Sequence, residues 1–146
     1  MKVPAMGVIA VALVLALVTT AWARDESLDE LKAKLKSAAV ADQPKICLAI
    51  AKRQLEAADK AFSAGKFSEG KALVEEVVSY AQQAGDASLK SRKHMKDTEI
   101  EVRKLSKRLR DITPTLDIED RPPMQQAVER LEHIRTELLM SMFSKN

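Results

Sequence analysis

The chain has 146 residues, of which 46% are hydrophobic, 31% are charged and only 3% are aromatic, and its formal net charge is +3. A charge so near balance, with no aromatic residues set among the basic ones to stack on bases, argues against a nucleic-acid-binding protein. A core of Leu, Ile, Val, Ala and Met suits packed helices better than a β-sandwich. The composition therefore predicts an all-α protein.

The first segment, residues 1–23, has the organisation of a secretory signal peptide. A positively charged start precedes 21 uncharged residues, and the cleavage motif consists of Ala21, Ala23 and the following Arg24. Cleavage would leave residues 24–146 as a single domain outside the cytoplasm, in a bacterial periplasm or the extracellular space. That mature chain has no segment of membrane-spanning length. The alternative is a retained anchor, because 21 uncharged residues can just span a bilayer.

The sequence after the leader begins with a helix start signal. Ser27 and Glu30 are spaced as in a capping box, in which each side chain accepts a hydrogen bond from the backbone N–H of the other residue. Leu28, Leu31 and Leu35 follow at helical spacing. We expect a short first helix here.

Residues 44–85 predict a helical hairpin around which the rest of the chain is organised. Pro44 suits the first turn of a helix, and Gly65 suits the left-handed position that ends one. Gly85 is expected to end the second helix in the same way. The apolar stripes are Leu48, Ala51, Leu55, Ala58 and Phe62 in the first helix, and Phe67, Val74, Val77, Val78 and Ala81 in the second. The short junction makes the two helices antiparallel neighbours.

Residues 46–84 of this hairpin resemble a single tetratricopeptide (TPR) repeat. The turn Gly65-x-Phe67-x-x-Gly70 is similar to the TPR pattern of Gly, aromatic and small residues, and Val74, Val77 and Val78 occupy the apolar positions that follow. The resemblance implies a helix-pair scaffold with a peptide-binding groove. An ordinary helical hairpin with a glycine turn is the alternative interpretation.

The third region predicts one long helix from Asp86 or Ser88 to Ile112, with Pro114 ending it. At 1.5 Å per residue such a helix is a rod of roughly 37 Å. A last helix then opens at Pro122-Pro123. The apolar seam of the long helix is Met95, Thr98, Val102, Leu105, Leu109 and Ile112, and that of the last helix is Met124, Ala127, Leu131, Ile134, Leu138 and Met142.

The predicted long helix, residues 88–112, is rich in basic residues that fall mostly opposite its apolar seam. A candidate interaction surface consists of Lys93, Lys96, Arg103, Lys104, Lys107 and Arg110. One interpretation is a docking surface for an anionic lipid, an anionic envelope polymer or an acidic protein. The other is a solvated helix face, which the interspersed acidic residues favour.

Few other residues could serve as nucleophiles or metal ligands. Cys47 is the only cysteine, so an internal disulfide is impossible. It packs as a small apolar residue, forms an intermolecular disulfide or is a reactive thiol. His94 and His133 are the only histidines, and neither a haem-attachment motif nor a recurring Glu-x-x-His pair accompanies them. No catalytic, cofactor-binding or metal-binding residues are assigned, and we expect no enzyme and no cofactor.

These features predict an up-and-down bundle of four to five helices with a TPR-like hairpin. The leading functional hypothesis is an exported, non-enzymatic interaction or scaffolding protein whose partner is a protein. One alternative is a periplasmic carrier of a small ligand, a metal or haem within the bundle. Another is a binder of anionic envelope polymers through the basic helix 88–112. The oligomeric state and the process served are not encoded in any motif.

Overall fold

The structure, a computed structural model, describes residues 26–144, and the predicted signal peptide lies outside these residues. The described part is all-α and contains no strand. Its five helices are α1 (Leu28–Ser37), α2 (Gln43–Ser63), α3 (Phe67–Ser91), α4 (Met95–Ile112) and α5 (Arg121–Phe143), with short 3-10 turns at Thr113–Thr115 and Ile118–Asp120. None of these five helices is both long enough and apolar enough to cross a bilayer.

The helices form an up-and-down bundle with one thinly closed side. The most extensive packing is between α2 and α3, followed by α4 with α5 and α3 with α5, whereas α2 and α4 touch much less. Since α2 and α4 each connect to α3 by a short reversal, they run parallel to one another. The helix α1 lies against α2 and contributes one buried side chain, Leu31.

One aliphatic core joins the helices. Most of its members lie on the predicted stripes, and Cys47 and Ala84 are additions to them. The predicted seams of α4 and α5 are confirmed as buried faces except at Met95 and Met142, which are half-buried. The largest fully buried side chains include Ile50 of α2, Val74, Val77 and Val78 of α3, Val102 and Leu109 of α4, and Met124, Leu131, Ile134 and Leu138 of α5. Burial of these side chains from water supplies the main driving force for the fold.

The helix ends follow from local chemistry at most of the predicted places. Ser27 and Glu30 form the capping box, and a proline lies in the first turn of both α2 and α5. Gly65 adopts φ +75°, which ends the α2 segment at no steric cost. The predictions for these four boundaries are confirmed.

The expectation that Gly85 ends α3 is wrong. The helix runs on through Gly85 to Ser91, and Gly85 is buried against α5. A Cβ at position 85 would lie 2.8 Å from Cγ2 of Ile134, a distance that real Cβ contacts do not show. Gly85 is therefore a packing residue that lets α3 and α5 approach closely. Similarly, Gly70 leaves room for the ring of Phe62 across the α2–α3 hairpin.

The predicted single helix over 88–112 is also wrong. Two helices meet at a corner, Arg92-Lys93-His94, in which Arg92 has φ 57° and His94 has φ 62°. Both lie in the left-handed region, which interrupts the helix and turns α4 back along α3. Below the corner, the hydroxyl oxygens of Ser88 and Thr98 are 2.7 Å apart and both side chains are buried. Ser88 is thus a buried contact between α3 and α4 and not a helix cap.

Candidate functional site

The lightly packed side of the bundle carries a groove between α2 and α4. Near the start of both helices a cavity of about 670 Å³ is lined by Ala41, Asp42, Pro44, Lys45, Ile46, Leu48 and Ala49 on one side and by His94, Asp97, Thr98 and Glu101 on the other. Because α2 and α4 run parallel, the cavity is elongated along the two helix axes.

A second cavity of about 490 Å³ continues the first along the same two helices. It is lined by Leu48, Lys52, Leu55, Glu56, Asp59 and Lys60 from α2 and by Glu101, Lys104, Leu105 and Arg108 from α4. Leu48 and Glu101 line both cavities. We call the combined surface, from Asp42 to Lys60 on α2 and from His94 to Arg108 on α4, the α2–α4 groove.

The α2–α4 groove has an apolar floor and charged rims. Leu48, Leu55 and Leu105 form the floor and are largely buried between the helices. On the rims, Arg108 pairs with Asp59 across the groove and Lys104 pairs with Glu101 along α4. An apolar strip between two charged edges is the surface that an amphipathic helix matches.

The six residues of the candidate basic surface are all exposed, but they divide into two groups. Lys93 and Lys96 lie at or beside the α3–α4 corner and have no ion pair within the described residues. The other four, Arg103, Lys104, Lys107 and Arg110, pair with Glu99, Glu101, Asp111 and Glu132 respectively. Their charge is largely balanced locally, so the continuous basic face that the sequence suggests is restricted to the corner.

The acidic partners of α4 and α5 form a network that the sequence analysis missed. Glu99 is one of the acidic residues interspersed among the basic residues of 88–112, where the sequence favours a solvated face, but only 6% of its surface is exposed. Nε and Nη2 of Arg135 donate to Oε1 of Glu99 at 2.9 and 2.8 Å, and Nη1 donates to Glu132 at 2.6 Å. Ser106 also donates to Glu132 at 2.7 Å. These charge-assisted bonds fix the register of α5 against α4.

The network controls the ionisation of Glu132. Desolvation by burial acts to raise the pKa of its carboxyl, but the hydrogen bond from Ser106 and the adjacent charge and hydrogen bond of Arg135 outweigh it. Together with the charge of Arg110 they hold the pKa of Glu132 below its ordinary value of 4.5. The carboxylate therefore stays charged and bonded in mildly acid solution.

Cys47 is fully buried in α2, as the apolar-packing interpretation expects. Burial raises the pKa of its thiol to about 11, and a hydrogen bond to its own backbone opposes that rise only in part. The thiol is accordingly neutral near pH 7, and an intermolecular disulfide would require α2 to leave its neighbours.

The two histidines lie on different parts of the bundle. His94 is at the α3–α4 corner and lines the α2–α4 groove, whereas His133 is exposed on α5, with Nε2 3.2 Å from Glu137. Across residues 26–144, no group of three or more His, Cys, Asp or Glu side chains is arranged to hold a metal ion. Neither histidine is joined to Cys47 or to a second histidine in a common site.

The groove is the main feature that sequence reasoning missed. Its floor leucines were predicted as core residues. Their position beside a gap depends on the distance between α2 and α4, which no residue pattern predicts.

Comparisons with protein-family models, with curated proteins and with solved structures find no match to the chain.

Proposed function

We propose that the chain is a non-enzymatic interaction module outside the cytoplasm that binds a helical segment of a partner protein in the α2–α4 groove. The observation that carries the proposal is the groove itself, with its apolar floor and charged rims. The groove extends along α2 from Asp42 to Lys60, a length of about 27 Å at 1.5 Å per residue. A partner helix of four to five turns matches this length.

The elongated shape of the groove between α2 and α4 favours a helix, and not a small molecule, as its occupant. The two cavities of the groove are partly open to solvent, whereas sites for small ligands enclose most of the ligand surface. A helix placed between α2 and α4 would cover the thinly closed side of the bundle and pack against Leu48, Leu55 and Leu105. Lys52, Lys60 and Glu56 on the rims are exposed and can meet polar residues of the partner.

The resemblance of the α2–α3 hairpin to a TPR repeat supports a peptide-binding role. The signal-peptide pattern of residues 1–23 supports work in the periplasm or the extracellular space. The sequence has no motif that sets a nucleophile beside a base. For this reason the proposal is a binding protein and not an enzyme.

Site-specific photo-crosslinking tests the proposal. A photoreactive residue at Lys52, on the groove rim, should crosslink to a partner in the native envelope fraction. The same residue at Lys71, which is exposed on α3 away from the groove, should not. Equal crosslinking from both positions would contradict groove binding.

The crosslinked segment then permits a quantitative control. As a synthetic peptide it should bind the protein, and Ala49→Trp should weaken binding at least about tenfold, because the indole fills the groove beside Leu48. The matched variant Ala72→Trp adds the same ring to an exposed position of α3 and should leave the Kd unchanged. If the two variants bind alike, the groove is not the binding surface.

A further inference from the structure

One end of the bundle combines exposed apolar side chains with basic residues that have no acidic partner. Large exposed hydrophobic side chains are rare in residues 26–144, and two of them, Met140 at 68% and Phe143 at 78% exposure, lie in the last turn of α5. At the α3–α4 corner, Lys90, Arg92, Lys93 and Lys96 are exposed and make no ion pair with any described residue. We call these six residues the corner patch.

The register of α4 against α5 brings the two halves of the corner patch to one level. Arg135 bonds Glu99 in the antiparallel helix. Leu139, four residues further along α5, is therefore level with Met95, the first residue of α4, and Phe143 lies one turn beyond that level. The last turn of α5 therefore reaches the end of the bundle at the corner where α3 turns into α4.

Helical spacing also places the two halves on adjoining faces. Lys96 shares a stripe of α4 with Arg103 and Arg110, and Arg110 pairs with Glu132 of α5, so this stripe borders α5. Phe143 shares a stripe of α5 with Glu132 and Leu139, which is the stripe that faces α4. Phe143 is exposed because α4 begins at Met95 and covers nothing beyond it.

The nearby acidic residues are directed elsewhere. Asp42 and Asp97 line the α2–α4 groove, and α5 packs on α3 and α4 and makes no extensive contact with α2. Asp86 accepts a hydrogen bond from Gln82, and Glu137 pairs with His133. None of these carboxylates forms an ion pair with a basic residue of the corner patch, so its positive charge is available to an anionic surface on the side that carries Met140 and Phe143.

We propose that the corner patch docks the protein onto an anionic lipid bilayer. Met140 and Phe143 enter the boundary between head groups and acyl chains, while the basic side chains lie at the level of the lipid phosphates. Apolar side chains rimmed by lysine and arginine are the composition that interfacial membrane binding requires. Neither the apolar contribution nor the electrostatic contribution is large alone, so the binding is reversible and depends on both.

Vesicle sedimentation tests this proposal and is independent of groove binding. The complete chain is expressed in a cell with a secretory pathway and purified as that cell processes it. Binding to phosphatidylglycerol vesicles is compared with binding to phosphatidylcholine vesicles, so that any apolar leader that remains contributes to both. We expect binding to the anionic vesicles to be stronger and to fall as salt is added, because salt screens exposed charges.

Two variants separate the charged and apolar contributions. Lys90→Gln with Lys93→Gln and Lys96→Gln should weaken binding to anionic vesicles by about a hundredfold. The control replaces Lys36, Lys66 and Lys71, which are exposed elsewhere, with Gln and carries the same net charge. Circular dichroism confirms that each variant remains helical.

The apolar half is tested with Met140→Ser and Phe143→Ser together, which should weaken binding about tenfold. Ile118→Ser, at a site 76% exposed at the opposite end of the bundle, is its control. Equal binding to both lipids, or equal loss in the controls, would overturn the proposal. It is also overturned if the protein binds no vesicles but forms a dimer that Met140→Ser with Phe143→Ser abolishes, because a second copy would then cover the patch.

Discussion

Single side chains of α4 illustrate how two adjacent positions with different exposure carry different roles. Leu105 is 6% exposed and lies in the core at the groove floor, whereas Lys104 is exposed and pairs with Glu101 at 2.8 Å. Burial of Leu105 removes apolar surface from water, while a surface ion pair such as that of Lys104 contributes little because water screens it.

Leu105→Asp is expected to reduce the free energy of unfolding by about 3–5 kcal/mol, because it places an unpaired charge among aliphatic side chains. Lys104→Asp should change it by less than about 1 kcal/mol, since it removes only a surface pair and adds a charge that water solvates. Urea unfolding followed by circular dichroism measures both. Equal losses would mean that α4 faces the core with a different side.

At the scale of helices and their junctions, the α3–α4 corner has the most unusual backbone conformation. Two residues with side chains, Arg92 and His94, hold the left-handed conformation on either side of Lys93. This conformation costs a non-glycine residue roughly 1–2 kcal/mol. The buried contact between Ser88 and Thr98 and the packing of α4 on α5 hold the corner in place.

Arg92→Gly is therefore expected to stabilise the protein by about 0.5–1 kcal/mol, because glycine adopts the left-handed conformation without a Cβ clash. His94→Gly should behave in the same way. Lys93→Gly is the control, since Lys93 does not have positive φ and glycine there only increases the freedom of the unfolded chain. Thermal unfolding would contradict this description of the corner if Lys93→Gly stabilised as much as Arg92→Gly.

Across the whole molecule, an aliphatic core and a polar network have separate tasks. The core draws the helices together without strong directional preference. The chain of bonds from Glu99 through Arg135 to Glu132 is directional and selects one register of α5 on α4. The same network makes stability depend on pH through Glu132.

The sign of that dependence follows from the lowered pKa of Glu132 in the folded state. The contribution of this carboxylate is fully present above its unfolded pKa and is lost as pH falls through the folded value. We expect Glu132→Gln to lose less stability than the unaltered protein as pH is lowered from 6 to about 3, because it lacks this titrating group. Urea midpoints measured over this range test it, and parallel curves for the two proteins would contradict the role of Glu132.

The helices could be predicted from the sequence because apolar residues at steps of three and four identify each buried face. The α3–α4 boundary could not. Gly85 followed by Asp86 and Ser88 imitates a helix end and a new start, yet the buried stripe continues from Ala81 through Ala84 to Ser88. The actual break uses left-handed Arg92 and His94. Arginine gives no signal for that conformation, and the enrichment of histidine in it is too small to locate a helix break.

The candidate site was less accessible to sequence reasoning than the helices. Leu48, Leu55 and Leu105 belong to predicted stripes, but the separation of α2 from α4 arises from the packing of all the helices together. Glu99 lies beside the seam residue Thr98, and this position at the edge of the seam was the available signal for its burial. Its pairing with Arg135 depends on the α4–α5 register, which spacing within one helix does not contain.

The absence of a side chain at Gly85 has a consequence for how this chain can diverge. Ile134 occupies the space that a methyl group at position 85 would need. Bulk can therefore be gained at position 85 only when bulk is removed at position 134. In any descendant that keeps this arrangement of α3 and α5, we expect their combined volume to be inherited more faithfully than either amino acid.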